Sequence, residues 1–175
     1  LVPLGIWLLL RLIPAELHAT TLCGLSRCLP GDIEAAARAL EKARKPRIHV
    51  FISTSPLHRE HKLGMSKQQV IDAAVASVRR ARQLCDDVEF SAEDAMRTEP
   101  EYLAEVMAAV IEAGAQTFNV PDTVGYTTPA EMAERIAFLR QNVRDVERAI
   151  ISVHCHNDLG MAGASSPAAV GAGAR

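Results

Sequence analysis

An α/β fold built on a parallel sheet is predicted by three observations. Short apolar runs alternate with longer helix-periodic segments. The helix starts carry capping signals. The polar residues inside the apolar runs keep a two-residue phase. Alternation of strands and helices is the signature of βα units, whose strands run parallel.

The strand-like runs lie at 21–27 (TLCGLSR), 47–53 (RIHVFIS), 87–93 (DVEFSAE), 116–122 (QTFNVPD) and 149–157 (AIISVHCHN). Helical patterns fall between them, at about 32–44, 66–85, 99–113 and 129–142. Ser66 with Gln69, Thr98 with Glu101 and Thr128 with Glu131 have the spacing of a capping box. Pro100 and Pro129 stand in first turns, where a missing N–H costs little. Gly114 is placed to end its helix in a left-handed conformation. Five strands suit either a small open α/β sheet or an incomplete barrel, since a complete (β/α)₈ barrel needs eight strands and about 250 residues.

The first 19 residues read differently. LVPLGIWLLLRLIPAEL is apolar but interrupted by Pro3, Gly5, Arg11 and Pro14, too short and broken for a membrane span. It has no basic n-region, so it does not read as a signal peptide. Residues 1–19 are expected to form an atypical leader outside the fold, and residues 20–175 the domain.

Composition narrows the function. Nineteen Lys and Arg against 21 Asp and Glu leave a net charge of −2. That balance argues against a nucleic-acid partner, which usually needs a basic stripe. No membrane association is expected. Cys23, Cys28, Cys85 and Cys155 show no CxxC spacing, which points away from a zinc knuckle and toward a reducing cytoplasm.

Side chains alternate across a strand, so residues i and i+2 share a face. His49, Phe51 and Ser53 align in the second run, and Glu89, Ser91 and Glu93 in the third. Asn119, Pro121 and Thr123 align in the fourth, and Ser152, His154, His156 and Asp158 in the fifth. Four strands thus put polar groups on one face, toward their C-terminal ends, where parallel α/β folds carry their sites. The opposite face is largely apolar and suits a helix layer. Cys155 falls on that side.

His154 and His156 admit two readings: chelation of one divalent ion, or two hydrogen-bonded histidines at a strand end. The neighbouring Asp158 and the convergent polar face favour the first. The stretch LHREHK (57–62) is either a basic substrate loop or a solvated one.

Four stretches carry a family resemblance: RIHVFISTSPLHREHKLGMS (47–66), DVEFSAEDAMRTEPEYL (87–103), FNVPDTVGYTTPAE (118–131) and SVHCHNDLGMA (152–162). Together they resemble the 2-isopropylmalate synthase family, within the metal-dependent TIM-barrel superfamily that also holds homocitrate synthase, citramalate synthase and hydroxymethylglutaryl-CoA lyase. The HxHND motif marks the superfamily, while FSAEDA and PDTVGYTTP point to the narrower family. The resemblance spans about residues 20–175 and implies a partial TIM barrel, about strands three to seven.

It further implies an acyltransferase of the cytoplasm, homodimeric at full length. Acetyl-CoA would be condensed with 2-oxoisovalerate to give 2-isopropylmalate for leucine synthesis. His154 and His156 match the pair that holds a divalent ion (manganese, magnesium or zinc). Thr123 matches a residue that contacts the oxo-acid carboxylate. His49, Ser91 and Glu93 match positions lining the oxo-acid pocket and the acetyl-CoA approach, with Glu93 and His49 in the catalytic role.

The chain also departs from the family. It has no LRDGEQ-like run, the source of a ligand Asp and an oxyanion-directed Arg, and no GERAGN-like run with its ligand Asn before Arg175. Its tail, MAGASSPAAVGAGAR, puts Gly163 and Pro167 in a helix where the family has MAVANSLAAVEAGAR. An incomplete, inactive fragment is therefore expected. Citramalate or homocitrate synthase is the alternative within the class, and a non-catalytic metal-binding remnant the alternative outside it.

Overall fold

The computed structural model describes residues 19–175. Apart from Ala19, the expected leader lies outside the described residues. The strands are β1 (Leu22–Arg27), β2 (Pro46–Ser53), β3 (Asp87–Glu93), β4 (Thr117–Asp122) and β5 (Ile150–Cys155). The helices are α1 (Pro30–Leu40), α2 (Lys67–Leu84), α3 (Pro100–Ala113), α4 (Pro129–Asn142) and α5 (Ala162–Gly171).

All five strands are parallel, and their order in the sheet is their order in the chain. A doubly wound sheet reverses strand order partway. Unreversed order is the winding of a βα barrel, in which each strand simply joins the one before it.

The helix-side face holds the core. Ile48, Val50 and Ile52 of β2, Val88, Phe90 and Ala92 of β3, and Phe118 and Val120 of β4 are buried. Against them lie Val70, Ala74 and Val78 of α2, Leu103, Val106 and Met107 of α3, and Ile136 of α4. Phe90 and Phe118 stack with centroids 5.8 Å apart. Burying each such side chain contributes up to about 1.5–3 kcal/mol. A one-residue slip of any strand would exchange this face for the polar one, so the core fixes the register that aims the site.

The helix ends follow the sequence signals with one exception. Ser66 and Thr128 form complete capping boxes with Gln69 and Glu131. Gly114, at φ 112°, ends α3 and donates its N–H to the Val110 and Ile111 carbonyls. Thr98 does not cap α3, whose N-cap is Glu99. Its hydroxyl turns inward instead, 2.7 Å from Thr54 Oγ1 and 3.0 Å from the Asp94 carbonyl. Tertiary hydrogen bonds in a buried corner outcompete the local cap.

The LHREHK stretch is neither open loop nor flat surface. Pro56–His58 forms one helical turn, capped by Ser55, and Arg59–Leu63 continues it as a π-helix that ends at Gly64, φ 61°. Arg59 is buried, donates to the Thr54 carbonyl, and holds Glu99 through two bonds of 2.9 and 2.8 Å. Pro167 does fall inside α5, where the neighbouring Ser165 hydroxyl donates to the Thr127 carbonyl.

Candidate functional site

The polar face of the sheet is layered. Near the middle of the strands, His49 Nε2 lies 2.6 Å from Ser91 Oγ. Asn119 Nδ2 donates to the same oxygen at 2.8 Å, and Ser152 Oγ donates to Asn119 Oδ1 at 3.2 Å. Four adjacent strands thus share one hydrogen-bonded row. Below it, Arg47 bridges Asp87 at 3.0 Å and Glu89 at 3.1 Å, which answers the cost of an inward Glu89. Burial pushes the His49 imidazole below the ordinary histidine value, although Glu89, 3.8 Å away, pulls the other way. Burial thus favours the uncharged imidazole.

The upper rim is formed by strand ends and the loops after them. Glu93, closing β3, is held by Lys62 Nζ at 2.9 and 2.8 Å and by the Ser53 hydroxyl. Burial alone would raise this carboxyl, but the hydrogen bonds from Lys62 and Ser53 outweigh it and keep Glu93 below the usual glutamate value. The next residue, Asp94, is buried at φ 66° and anchored by Arg97 Nε at 2.8 and 3.0 Å. Its backbone N–H donates to Thr123 Oγ1 at 2.9 Å. Thr123 spends acceptor capacity on that bond and keeps its own hydroxyl proton for another group.

Beyond Asp122 the loop after β4 turns on Gly125, φ 64°, where an added Cβ would collide with Asp158 Oδ2. Asp122 is buried and accepts from the Gly125 and Thr127 N–H groups at 3.1 Å each. The loop therefore packs against the segment after β5. β5 ends at Cys155, so strand alternation alone places neither His156 nor Asp158, and Asp158 lies against Gly125.

His154 and His156 are exposed at the end of β5, with ring centroids 4.9 Å apart at 71°. Imidazole nitrogens so placed fit a divalent ion chemically. Among the described residues, however, no third His, Cys, Asp or Glu joins them to make a metal-holding group. The donor type fits and the donor number falls short.

All of the sequence-expected site residues lie on the one polar face or its rim: His49 and Ser91 in direct contact, Glu93 and Thr123 at the ends of β3 and β4, and the histidine pair at the end of β5. Sequence reading undervalued Asn119 and Ser152, although both had the right phase. It missed Lys62 as the partner of Glu93, because that contact depends on a π-helix that no periodicity announces.

A parallel βα sheet wound in sequence order, with polar groups at its C-terminal strand ends, is the architecture of a TIM-barrel segment. Residues 9–175 match the HMGL-like family, and the chain belongs to it. It is 54% identical over 164 residues to 2-isopropylmalate synthase of Rhodopirellula baltica, covering 94% of this chain and 31% of that protein. With the enzyme of that name from Xanthomonas campestris pv. campestris (strain B100) it shares 58% over 160 residues, 91% of this chain and 31% of the relative. The chain thus spans about a third of the length of these relatives. In fold it is similar to hydroxymethylglutaryl-CoA lyase of Pseudomonas aeruginosa, with a TM-score of 0.71 and 20% identity over 89% of this chain and 51% of that one. An HMG-CoA lyase from Acinetobacter baumannii, solved with coenzyme A and 3-methylmalate, gives 0.76 at 16% identity, over 98% and 55% of the two chains. The fold is a partial TIM barrel. Among the described residues, no helix is long and apolar enough to cross a membrane.

Proposed function

We propose that this chain is part of an acyltransferase of the 2-isopropylmalate synthase type, which condenses acetyl-CoA with 2-oxoisovalerate. The carrying observation is the hydrogen-bonded row His49–Ser91–Asn119–Ser152, flanked by Thr123 and the histidine pair on one open face. The 54–58% identity to enzymes of that name supports the substrate assignment.

The chemistry needs three things of the protein: a grip on the oxo-acid carboxylate, polarisation of its ketone, and a base for the acetyl methyl group. Thr123 keeps a free hydroxyl proton to donate to the carboxylate. A divalent ion held by His154 and His156 would supply Lewis-acid polarisation of the ketone oxygen. His49, half-buried, can take up a proton at Nε2 through the Ser91 hydroxyl, whose oxygen lies 2.6 Å away and would receive the methyl proton as it passes its own to the imidazole. Loss of that methyl proton lets the acetyl carbon bond to the ketone carbon, and hydrolysis of the thioester then frees CoA. Glu93 borders the acetyl-CoA approach. The four free thiols suit a cytoplasmic setting, and a homodimer is proposed for the full-length enzyme.

Ligand titration followed by amide NMR in the presence of Mg²⁺ tests the assignment. 2-Oxoisovalerate should perturb Ser91, Asn119 and Thr123 at lower concentration than pyruvate or 2-oxoglutarate does, and Thr123→Val should weaken the response. Tighter binding of pyruvate would move the chain to citramalate synthesis, and of 2-oxoglutarate to homocitrate synthesis. No response to any 2-oxo acid would remove the reading.

A further inference from the structure

The segment from Pro56 to Leu63 has no role in the row of polar residues, yet it is built with unusual care. Its base is pinned by Arg59, which reaches the Thr54 carbonyl, grips Glu99 twice and lies 4.8 Å over the Tyr102 ring. From that base a π-helix carries Lys62 back over the strand ends, and π-turns concentrate at functional sites. Lys62 Nζ meets both oxygens of Glu93 and, at 3.0 Å, Ser53 Oγ. Ser53 in turn donates to Glu93 Oε2. A half-exposed lysine usually roams in solvent; here three acceptors converge on its ammonium.

We propose that Lys62 is a positioning residue: its ammonium, delivered by the π-turn, fixes the Glu93 carboxylate in one orientation on the rim of the pocket. The proposal rests on the reading of Glu93 as a pocket residue. Its consequence is chemical. A carboxylate gripped at both oxygens is a poor proton acceptor and a good fixed charge. Glu93 then serves as a bound anion whose charge is balanced locally, so that an anionic 2-oxo acid can approach the same rim. The proton-accepting role is left to His49.

The other charged groups around Glu93 do not replace Lys62. His58, from the helical turn before the π-helix, adds its field to Glu93, but its Nδ1 stands 3.6 Å from Asp94 Oδ2. Arg97 is committed to Asp94. The ion pair to Lys62 is thus the principal contact that holds Glu93 charged, and an opposite charge in contact typically moves a carboxyl by about one to three units.

The test is a carboxyl ¹³C NMR titration of the glutamate-labelled chain, with Glu93→Gln assigning the resonance. In Lys62→Met the Glu93 midpoint should rise by about one unit, and in Lys62→Arg it should stay near the parent value. Lys62 is 48% exposed, so neither change should disturb the fold, and the amide spectrum verifies this. An unmoved midpoint in folded Lys62→Met overturns the proposal. The titration needs no substrate, so a chain that ignores every 2-oxo acid refutes the proposed function and leaves this result standing.

Discussion

Ser91 Oγ accepts from Asn119 Nδ2 and lies 2.6 Å from His49 Nε2, so its one proton is free to point at the imidazole. In that arrangement every donor in the row points toward His49: Ser152 to Asn119, Asn119 to Ser91, Ser91 to His49. His49 Nε2 is then the acceptor and Nδ1 carries the proton, an assignment that ¹⁵N shifts of the ring can read. Ser91→Ala should leave Asn119 Nδ2 and His49 Nε2 each without its hydrogen bond to Ser91, at about 1–3 kcal/mol per stranded group if water does not replace it. Urea denaturation should show a lower midpoint with an unchanged slope, and the His49 tautomer should shift. The histidine pair makes a second prediction. Two nitrogens alone should bind Mn²⁺ or Zn²⁺ weakly, and His154→Ala with His156→Ala should abolish the heat seen by titration calorimetry. Undiminished binding in that double variant would show that the ion sits elsewhere. The two-residue phase of β2, β3 and β5 made His49, Ser91 and His154 legible in the sequence, because burial of the alternate residues leaves no other register. Asn119 had the same phase but no distinctive chemistry, and Lys62 lay in a segment whose geometry is set by a distant carboxylate.

Elements are tied to one another by a few charged clamps, and Arg59–Glu99 is the clearest. It joins the π-turn after β2 to the N-terminus of α3, with Lys67 at the start of α2 adding a contact of 3.2 Å. Hydrogen bonding from Arg59 lowers the Glu99 carboxyl from 4.5 to about 2, against a smaller opposing effect of burial. A carboxyl depressed on folding contributes stability that is complete above its unfolded value and is lost as pH falls through the folded value. The window here is therefore from about 4.5 down to about 2. Glu99→Gln should lower stability at neutral pH and flatten its fall across that window, measured as thermal midpoints at a series of pH values. A parallel fall in both proteins would show that the clamp does not drive the acid sensitivity. Boundaries of α2 and α4 were legible because a local capping box decides them. The start of α3 was misread because the Thr98 hydroxyl bonds the Asp94 carbonyl just after β3 and pairs with Thr54 just after β2, a partner 44 positions away. The π-helix was invisible for the same reason: its root is the Arg59 bond to Glu99, 40 positions away.

At the scale of the whole molecule, the sheet is polar and apolar in the wrong places for an isolated body. Among the described residues, β1 and β5 each pair on one side only, and Leu25 on the pocket face is 61% exposed. Unpaired strand edges and uncovered apolar groups favour association. Sedimentation velocity should therefore show concentration-dependent self-association of the 175-residue chain, and a monodisperse monomer at all concentrations would contradict that. The same openness decides what the chain can catalyse. Lewis-acid chemistry needs an ion held firmly in a closed and ordered site, with outer contacts that orient its ligands. Here two imidazoles stand together without a third ligand among the described residues. Among the described residues, the hydrogen-bonded row consists of His49, Ser91, Asn119 and Ser152, and no arginine joins it as a donor toward a developing oxyanion. Removing one such donor alone costs about 10²–10³ in rate. The chain by itself should release no CoA from acetyl-CoA and 2-oxoisovalerate in a thiol assay. Joined to strands bearing LRDGEQ-type and GERAGN-type runs, it should gain 2-oxoisovalerate-dependent release. That gain should fall with Thr123→Val and vanish with His154→Ala. Turnover by the 175-residue chain alone would mean that the histidine pair and the Ser91 row suffice to hold and polarise the oxo acid.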